Sequence, residues 1–498
     1  MSPSQEQQNN NHVIKFDVKE VGRVKAVREF IVLAENMPSC VNGQIVEFDE
    51  GLRGIVMGFT KDEVQILMLG PKARIRAGDK VYSKAKSLYL PVGDGFVGRV
   101  VNALCEPVDG QGEIKTDDTY PVFKDAPGIM DRDIVERTLE SGTRIIDEIM
   151  PLALGQRQLL VGDRQTGKTS VTTDAIINQK GKDVICIYCV IGKTYSGLLK
   201  TLELFKEHNV FEYSLIVSGI ASTSVGEQYL APYTAAMLGE YFMKQGKDVL
   251  VVFDDLTRHA WIYRQISLLL KRAPGREAYP GDIFYIHSQL MERAGQMSKA
   301  LGYGSMTFLP IVETLQGDVT GFIPTNLVSM TDGQIYFSSA LFNKGFKPAI
   351  DVGLSVSRIG NRAQWPAVKV PSRSLRIEFL QYKELVAMTQ LRTTELSKEA
   401  EKKLRRGEAI TELLIQTKNK PVEMEHQIVD MYALNREVLD DLSVDEIRRF
   451  KKEFYEKIKE WFPNLSQQLR DSKVIVDESI ANLEEAIQYY FSQDQTPS

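Results

Sequence analysis

No apolar run in the chain approaches the ~20 residues that a membrane-spanning helix requires, so the sequence predicts no such helix. Cysteine is scarce. Cys40, Cys105, Cys186 and Cys189 are the only four in 498 residues, a usage that suits a reducing compartment. Cys186-Ile187-Tyr188-Cys189 has the C-x-x-C spacing, but it lies inside the apolar run Val184 to Ile191. On a strand, positions three apart face opposite sides, so a buried strand is read here and not a redox or zinc pair. The five histidines are scattered and form no metal-ligand spacing. Positive charge is not in excess either: the net charge is -5 and the isoelectric point ≈ 5.8, which argues against a nucleic-acid-binding surface. Met1 to His12 has neither the apolar core of a secretory signal nor the arginines of a transit peptide; this Gln- and Asn-rich stretch is expected to be a disordered tail.

What the chain does have is Gly162-Asp163-Arg164-Gln165-Thr166-Gly167-Lys168-Thr169, the G-x-x-x-x-G-K-T pattern of a phosphate-binding P-loop. Gln158 to Val161 before it reads as a short buried strand, and Ser170 to Asn178 after it as a helix. Strand, loop and helix are the context the motif requires. Gly162 and Gly167 let the backbone approach a polyphosphate and aim N–H groups inward. The positive end of the following helix adds to that attraction. Lys168 can reach the outer phosphates, and the Thr169 hydroxyl can ligate Mg²⁺.

Three regions follow one another. Up to about Lys84 the pattern is strand-like: Ile14, Phe16 and Val18 alternate with Lys15 and Asp17, and Val64, Ile66 and Met68 recur at the same spacing of two. Turns at Gly43, Gly51, Gly54, Gly70 and Gly78 break this region into short strands, which predicts a small closed barrel. From about Gly95 to Trp365 strands alternate with helices, as in a mostly parallel sheet covered on both faces. The candidate strands are Gln158 to Val161, Val184 to Ile191, Ser214 to Ser218, Val249 to Phe253 and Thr307 to Val312. After Pro371 the pattern turns helical. Leu375, Phe379, Tyr382 and Val386 form one apolar face, and Ser443-Val444-Asp445-Glu446 is a capping box that opens a helix bearing Ile447, Phe450, Phe454, Ile458 and Trp461. This last region reads as a helical bundle.

Val249 to Phe253 runs into Asp254-Asp255, and a P-loop NTPase needs a carboxylate at such a strand end to hold the Mg²⁺ shell. Asp254 directly follows the strand and is the candidate; the alternative is a helix-cap or turn acid. Many relatives of this core place a glutamate just past the strand that follows the P-loop helix, to orient the attacking water. Here that strand ends Val190-Ile191-Gly192 and the next residue is Lys193, whose ammonium cannot accept a proton. The site is therefore expected to bind nucleotide without appreciable turnover, with Glu227 and Glu240 as the alternative bases. Arg358, after Gly353-Leu354-Ser355-Val356-Ser357, is either a surface charge or a finger reaching a neighbour's phosphate site; spacing alone favours the surface.

The P-loop, Asp254-Asp255-Leu256, the stretch Pro274 to Asp282 and Val352 to Arg358 together resemble the alpha subunit of F-type ATP synthases. Gln165 inside the loop separates alpha from the catalytic beta subunit, which has small residues there. The resemblance implies a multidomain chain: a β-barrel over residues 13–86, an α/β RecA-like P-loop NTPase domain over 87–365 and an α-helical domain over 366–498. It implies alternating alpha and beta subunits in a hexamer around a gamma-type rotor shaft, with a peripheral stalk, on a membrane-embedded channel for protons or another ion. The membrane is met only through that channel sector. The place expected is the cytoplasmic face of a bacterial cell membrane, or its organelle-encoded equivalent.

It implies further that ATP or ADP held by Gly162, Asp163, Arg164, Gln165, Thr166, Gly167, Lys168, Thr169 and Ser170, with Mg²⁺ at Thr169 and Asp254, is structural or regulatory. Arg358 becomes the finger inserted into the beta subunit's catalytic site, supported by Ser355. Gln416 matches a glutamine expected near the base. Several features depart from the family. Lys193 stands where alpha subunits usually carry glutamine. Lys347-Pro348 replaces Arg-Pro beside the adenine, and Lys418 replaces the usual partner of Gln416. Met388 to Arg392 differs from the usual shaft-contacting sequence. A polar tail stands in place of the helix that docks the stalk. The competing readings are a self-sufficient hexameric ATPase of the secretion-motor kind, which Lys193 speaks against, and a Rho-type nucleic-acid motor, which the acidic balance speaks against.

Overall fold

The structure is a computed structural model that describes residues 20–70, 75–389 and 397–493. The tail Met1 to His12, the alternation Ile14 to Val18 and the stretch Gln390 to Arg392 lie outside the described residues. The chain divides into two compact units, residues 1–89 with 224–226, and residues 90–223 with 227–498.

The first unit is a closed antiparallel barrel of six strands, Glu20–Arg28, Ile31–Glu35, Gln44–Phe48, Arg53–Phe59, Val64–Leu69 and Lys80–Ser87. Val64, Ile66 and Met68 point inward beside Val24, Val32, Val46, Phe48, Val56 and Val81, but the expected alternation is only partial, because Leu67 and Leu69 at the intervening positions are buried as well. Closure removes the unpaired edges that so short a sheet would otherwise present. The strand Arg53–Phe59 passes close to its neighbour at Gly54, where a Cβ would lie 2.4 Å from Ile66 Cγ2.

The second unit is built on a nine-stranded sheet. From one edge the order is Val356–Ser357, Gly333–Phe337, Leu159–Gly162, Ser305–Glu313, Asp248–Asp254, Val184–Ile191, Ser214–Gly219 and Val100–Asn102; Gly295–Gln296 pairs beside Ser305–Glu313. All pairings on this path are parallel except that of Val356–Ser357. The apolar runs are buried on both faces, as central parallel strands must be once helices cover them. The observed strands lie within two residues of the sequence-based bounds, and Cys186 and Cys189 are buried strand residues with free thiols.

Register decides what meets at the carboxyl ends. Gly162 is level with Glu313 and with Phe337, and Val190 is level with Asp254. The chain just past Ile191 therefore emerges beside Asp254, close to the P-loop. Ligands bind at this end of open α/β sheets.

The described chain ends in the helices Pro366–Thr389, Lys398–Leu414, Met424–Asn435, Val444–Trp461, Leu465–Ser472 and Asp477–Gln493. The first begins before Pro371 and runs through it, earlier than the sequence suggests. Pro366 supplies the fixed φ favoured at a first helical position, so the helix starts there. Along it Leu375 and Phe379 are buried, whereas Tyr382 and Val386 are only partly so. The capping box forms: Ser443 Oγ accepts from Glu446 N, and the Glu446 carboxylate accepts from Ser443 N at 2.7 Å. Ile447, Phe450, Phe454 and Ile458 pack into an apolar core continuous with Leu160, Ile311 and Ile335 of the sheet. Between the two layers the Arg144–Asp430 ion pair, at 2.6 Å, is almost wholly buried.

Candidate functional site

Gly162 ends its strand so close to the neighbouring strand that a Cβ would lie 2.4 Å from the Phe337 carbonyl oxygen, so no larger residue fits. The loop then turns through Gln165 at φ 61° and Gly167 at φ 102° and enters the helix Lys168–Ile177. Left-handed backbone is natural for glycine and costs Gln165 strain of the kind that collects at functional sites. Asp163 anchors the loop by accepting from Thr314 Oγ1 and Gly317 N at 2.7 Å each and from Ser339 Oγ at 2.8 Å. Thr166 Oγ1 donates to Asp163 O at 2.8 Å, and Arg164 pairs with Glu313 at 2.7 Å. The Lys168 ammonium folds back on the carbonyls of Gly162 and Asp163. Burial lowers its pKa to about 8. A polyanion would draw it outward.

These residues form one wall of a cleft of ≈ 600 Å³, lined by Gln165 to Val171, Asp174, Lys193, Asp254, Glu313, Phe342, Lys347, Pro348 and Ile415 to Lys418. That volume suits a ligand the size of a nucleotide. At the phosphate end Thr169 Oγ1 donates to Asp254 Oδ2 at 3.0 Å, so the two residues expected to meet Mg²⁺ do lie together. Asp254 Oδ2 also accepts from Tyr188 OH at 2.6 Å. A third donor is the Lys193 ammonium, which pairs with Asp254 and reaches Thr169 Oγ1 at 3.2 Å. Asp255 is the helix cap instead: its carboxylate accepts from Arg258 N at 2.9 Å at the start of Leu256–Leu269.

The far end of the cleft is bounded by the Phe342 ring, over which Lys347 Nζ lies 4.7 Å from the centroid, and by Pro348 and Lys418. A flat aromatic face suits a base. Gln416 is there too, but its amide is committed to backbone: Oε1 accepts from Arg144 N at 3.0 Å, and Nε2 donates to Gly142 O at 2.7 Å and Lys420 O at 2.9 Å. It shapes the cleft wall. Burial raises the Asp174 pKa to about 7, although its carboxylate accepts from Asn419 N at 2.9 Å.

Among the described residues the cleft carries the carboxylates of Asp174, Asp254 and Glu313, and each is engaged as described. Neither alternative base lies among its lining residues. Glu240 is buried in an ion pair with Arg293 at 2.7 Å. Glu227 belongs to a separate cavity, with Tyr195 and Asp109.

Arg358 is elsewhere. It lines another cleft, of ≈ 250 Å³, with Arg132, Arg157, Asp332 and Arg362. The two clefts have no lining residue in common. Arg157 is held by Asp332 at 3.0 Å and Glu292 at 2.7 Å, whereas no described residue pairs with the Arg358 guanidinium. Gln158 Nε2 donates to Val356 O at 3.1 Å, on the strand that leads to Arg358. Ser355 is buried, with its hydroxyl accepting from Tyr336 N at 2.9 Å and donating to Asp351 O at 2.5 Å. It ties the segment before Arg358 to the sheet.

Sequence reasoning misses Phe342, Asp174 and Glu313. Glu313 ends an apolar strand just as Asp254 does, and that is a signal the sequence carries. Phe342 and Asp174 sit on helices and have no local signal. The histidines, scattered in sequence, include a buried pair, His259 and His287, with ring nitrogens 3.2 Å apart. Among the described residues no cluster of His, Cys, Asp and Glu could hold a metal ion, and no helix is long and apolar enough to cross a membrane.

The chain matches three family models: "ATP synthase alpha/beta family, beta-barrel domain" over residues 17–84, "ATP synthase alpha/beta family, nucleotide-binding domain" over 142–357 and "ATP synthase alpha/beta chain, C terminal domain" over 364–490. It is 45% identical to the ATP synthase subunit alpha of Petrotoga mobilis over 480 residues, 96% of this chain and 95% of that one. It is 46% identical to its counterpart in Clostridium botulinum (strain Eklund 17B) over 466 residues, 94% of this chain and 92% of that one. Against the Clostridium acetobutylicum protein the identity is 44% over 476 residues, 96% and 94% of the two chains.

Proposed function

Because the chain belongs to the family of ATP synthase alpha subunits, we propose that it holds ATP or ADP in its own cleft without turning it over and lends Arg358 to a neighbour's catalytic site. The neighbour is a beta subunit, in an alternating hexamer around a gamma-type shaft. A peripheral stalk and a membrane sector that conducts protons, or another ion, complete the assembly. The chain sits peripherally on the cytoplasmic face of a bacterial membrane.

The observation that carries this reading is the separation of the two sites. The guanidinium of Arg358 lies outside the cleft that holds the P-loop, in a cleft with no lining residue shared with it. It is solvent-exposed, with exposed Ile134, Leu354 and Val356 nearby in the chain or on the same cleft. Such apolar side chains suit burial against another subunit. A planar fork meeting charge that develops on a transferred phosphoryl group lowers the barrier more than it aids ground-state binding.

In the chain's own cleft, Gly162 to Ser170 bind the phosphates, Lys168 among them, with Gln416 shaping the base end. Thr169 and Asp254 would hold Mg²⁺, which when bound neutralises phosphate charge. They fit it only with Lys193 withdrawn, since its ammonium lies on both side chains. Among the described residues the phosphate end offers no uncommitted carboxylate, which supports a site without turnover.

The test is Arg358→Ala in the assembled complex. ATP hydrolysis should fall by ~10³-fold or more, while nucleotide bound at Lys168 stays. Hydrolysis at the unaltered rate would remove the finger assignment.

A further inference from the structure

Lys193 is not a loosely placed surface lysine. Its backbone is fixed from both sides. Gly192 N donates to Gly219 O at 2.7 Å, and the Lys193 carbonyl accepts from Ala221 N at 2.8 Å. The Gly192 carbonyl accepts from Arg258 Nη1 at 2.7 Å, and Arg258 is itself paired with Asp255. Gly192 makes the turn at φ 61°, and Thr194 caps the helix Tyr195–Glu207. The ammonium is thereby delivered to Asp254, whose side chain is 1% exposed, and to Thr169 Oγ1.

A divalent cation bound between Thr169 and Asp254 needs the same oxygen lone pairs. An ammonium and Mg²⁺ cannot share them, because both are cations and Mg²⁺ demands ligands at about 2.0–2.1 Å. Four lysines, Lys168, Lys193, Lys347 and Lys418, line the cleft against three carboxylates, Asp174, Asp254 and Glu313. The chain thus brings to the phosphate end a cation of its own beyond the P-loop lysine.

We propose that Lys193 is the resident counter-cation of this nucleotide site, so that ATP or ADP binds there without a divalent metal, and Mg²⁺ enters only by displacing the ammonium from Asp254. The proposal rests on the reading of the cleft as a nucleotide site. It assigns Lys193 a binding role: its ammonium, already beside Thr169, donates to the nearest phosphate oxygen while remaining on Asp254.

The test is equilibrium binding of ATP to the full chain, in EDTA and in excess Mg²⁺, for the wild type, Lys193→Gln and Lys193→Arg. The wild type should bind about equally well in both, because a charge-assisted hydrogen bond already serves the phosphates. Lys193→Gln should lose ~10-fold or more in EDTA and recover with Mg²⁺. Lys193→Arg keeps the charge and should keep binding in EDTA. Mn²⁺ titrated in the presence of ATP and followed by electron paramagnetic resonance should bind more tightly to Lys193→Gln than to the wild type. A wild type as dependent on Mg²⁺ as Lys193→Gln would overturn the proposal and leave the nucleotide site standing. Absence of ATP binding to the wild type in both conditions would overturn the nucleotide reading, and this inference with it.

Discussion

His259 Nδ1 and His287 Nε2 face each other at 3.2 Å, both rings fully buried. His259 Nε2 also lies 3.1 Å from the Tyr229 carbonyl, which accepts only if that nitrogen carries a proton. His259 Nδ1 is then bare and accepts from His287 Nε2–H, which leaves both rings neutral.

Burial pushes the His259 pKa down to about 4 and that of His287 well below its ordinary 6.5. In the unfolded chain both protonate near 6.5, so below that pH the unfolded state binds more protons. Stability is therefore full above about pH 6.5 and falls as the pH drops toward about 4, by about 1.4 kcal/mol per pH unit for each ring. Urea unfolding across this range should show the slope, and His259→Asn/His287→Asn should flatten it. An unchanged slope in the double variant would assign the acid sensitivity to other groups.

Lys168 is expected to matter for binding and little for folding, because its ammonium rests on two carbonyls of its own loop. Lys168→Ala should weaken ATP binding by ~10–100-fold, with an unaltered circular dichroism spectrum. Equal affinity in the variant would show that the phosphates sit elsewhere.

Ser355→Ala removes the acceptor of Tyr336 N and the donor to Asp351 O. Asp351 O keeps the Ser355 backbone N–H at 3.0 Å, so a loss of ~1–3 kcal/mol in unfolding free energy is expected chiefly for the half-buried Tyr336 N–H left without its partner. In the assembled complex the same change should slow hydrolysis less than Arg358→Ala does, if Arg358 acts as proposed, since it loosens the segment before Arg358 without deleting the guanidinium. Equal losses in the two variants would make Ser355 more than a support.

The P-loop is legible in the sequence because its chemistry is contiguous: the glycines, the lysine and the threonine lie within one turn and one helix start. The parallel strands are legible because burial on both faces leaves continuous apolar runs. The pairing of Lys193 with Asp254 is not, since it depends on the level of Val190 with Asp254 across two strands. Sequence shows only that a carboxylate is missing at 193, not where the ammonium goes. The helix start at Pro366 is hidden because Pro371 signals a break, although the helix runs through it. Gln416 matches a base contact by family pattern, yet its amide serves three backbone groups, two of which, Arg144 N and Gly142 O, are far away in the chain, which no local pattern reveals.

The most direct test of the central claim is the fate of ATP bound to the purified chain alone. The chain is loaded with radiolabelled ATP, freed of excess nucleotide, and the bound label is separated into ATP and ADP over several hours. Label that remains ATP is the expected result. Conversion to ADP and phosphate, with sustained turnover when fresh ATP is added and no other subunit present, would contradict the account.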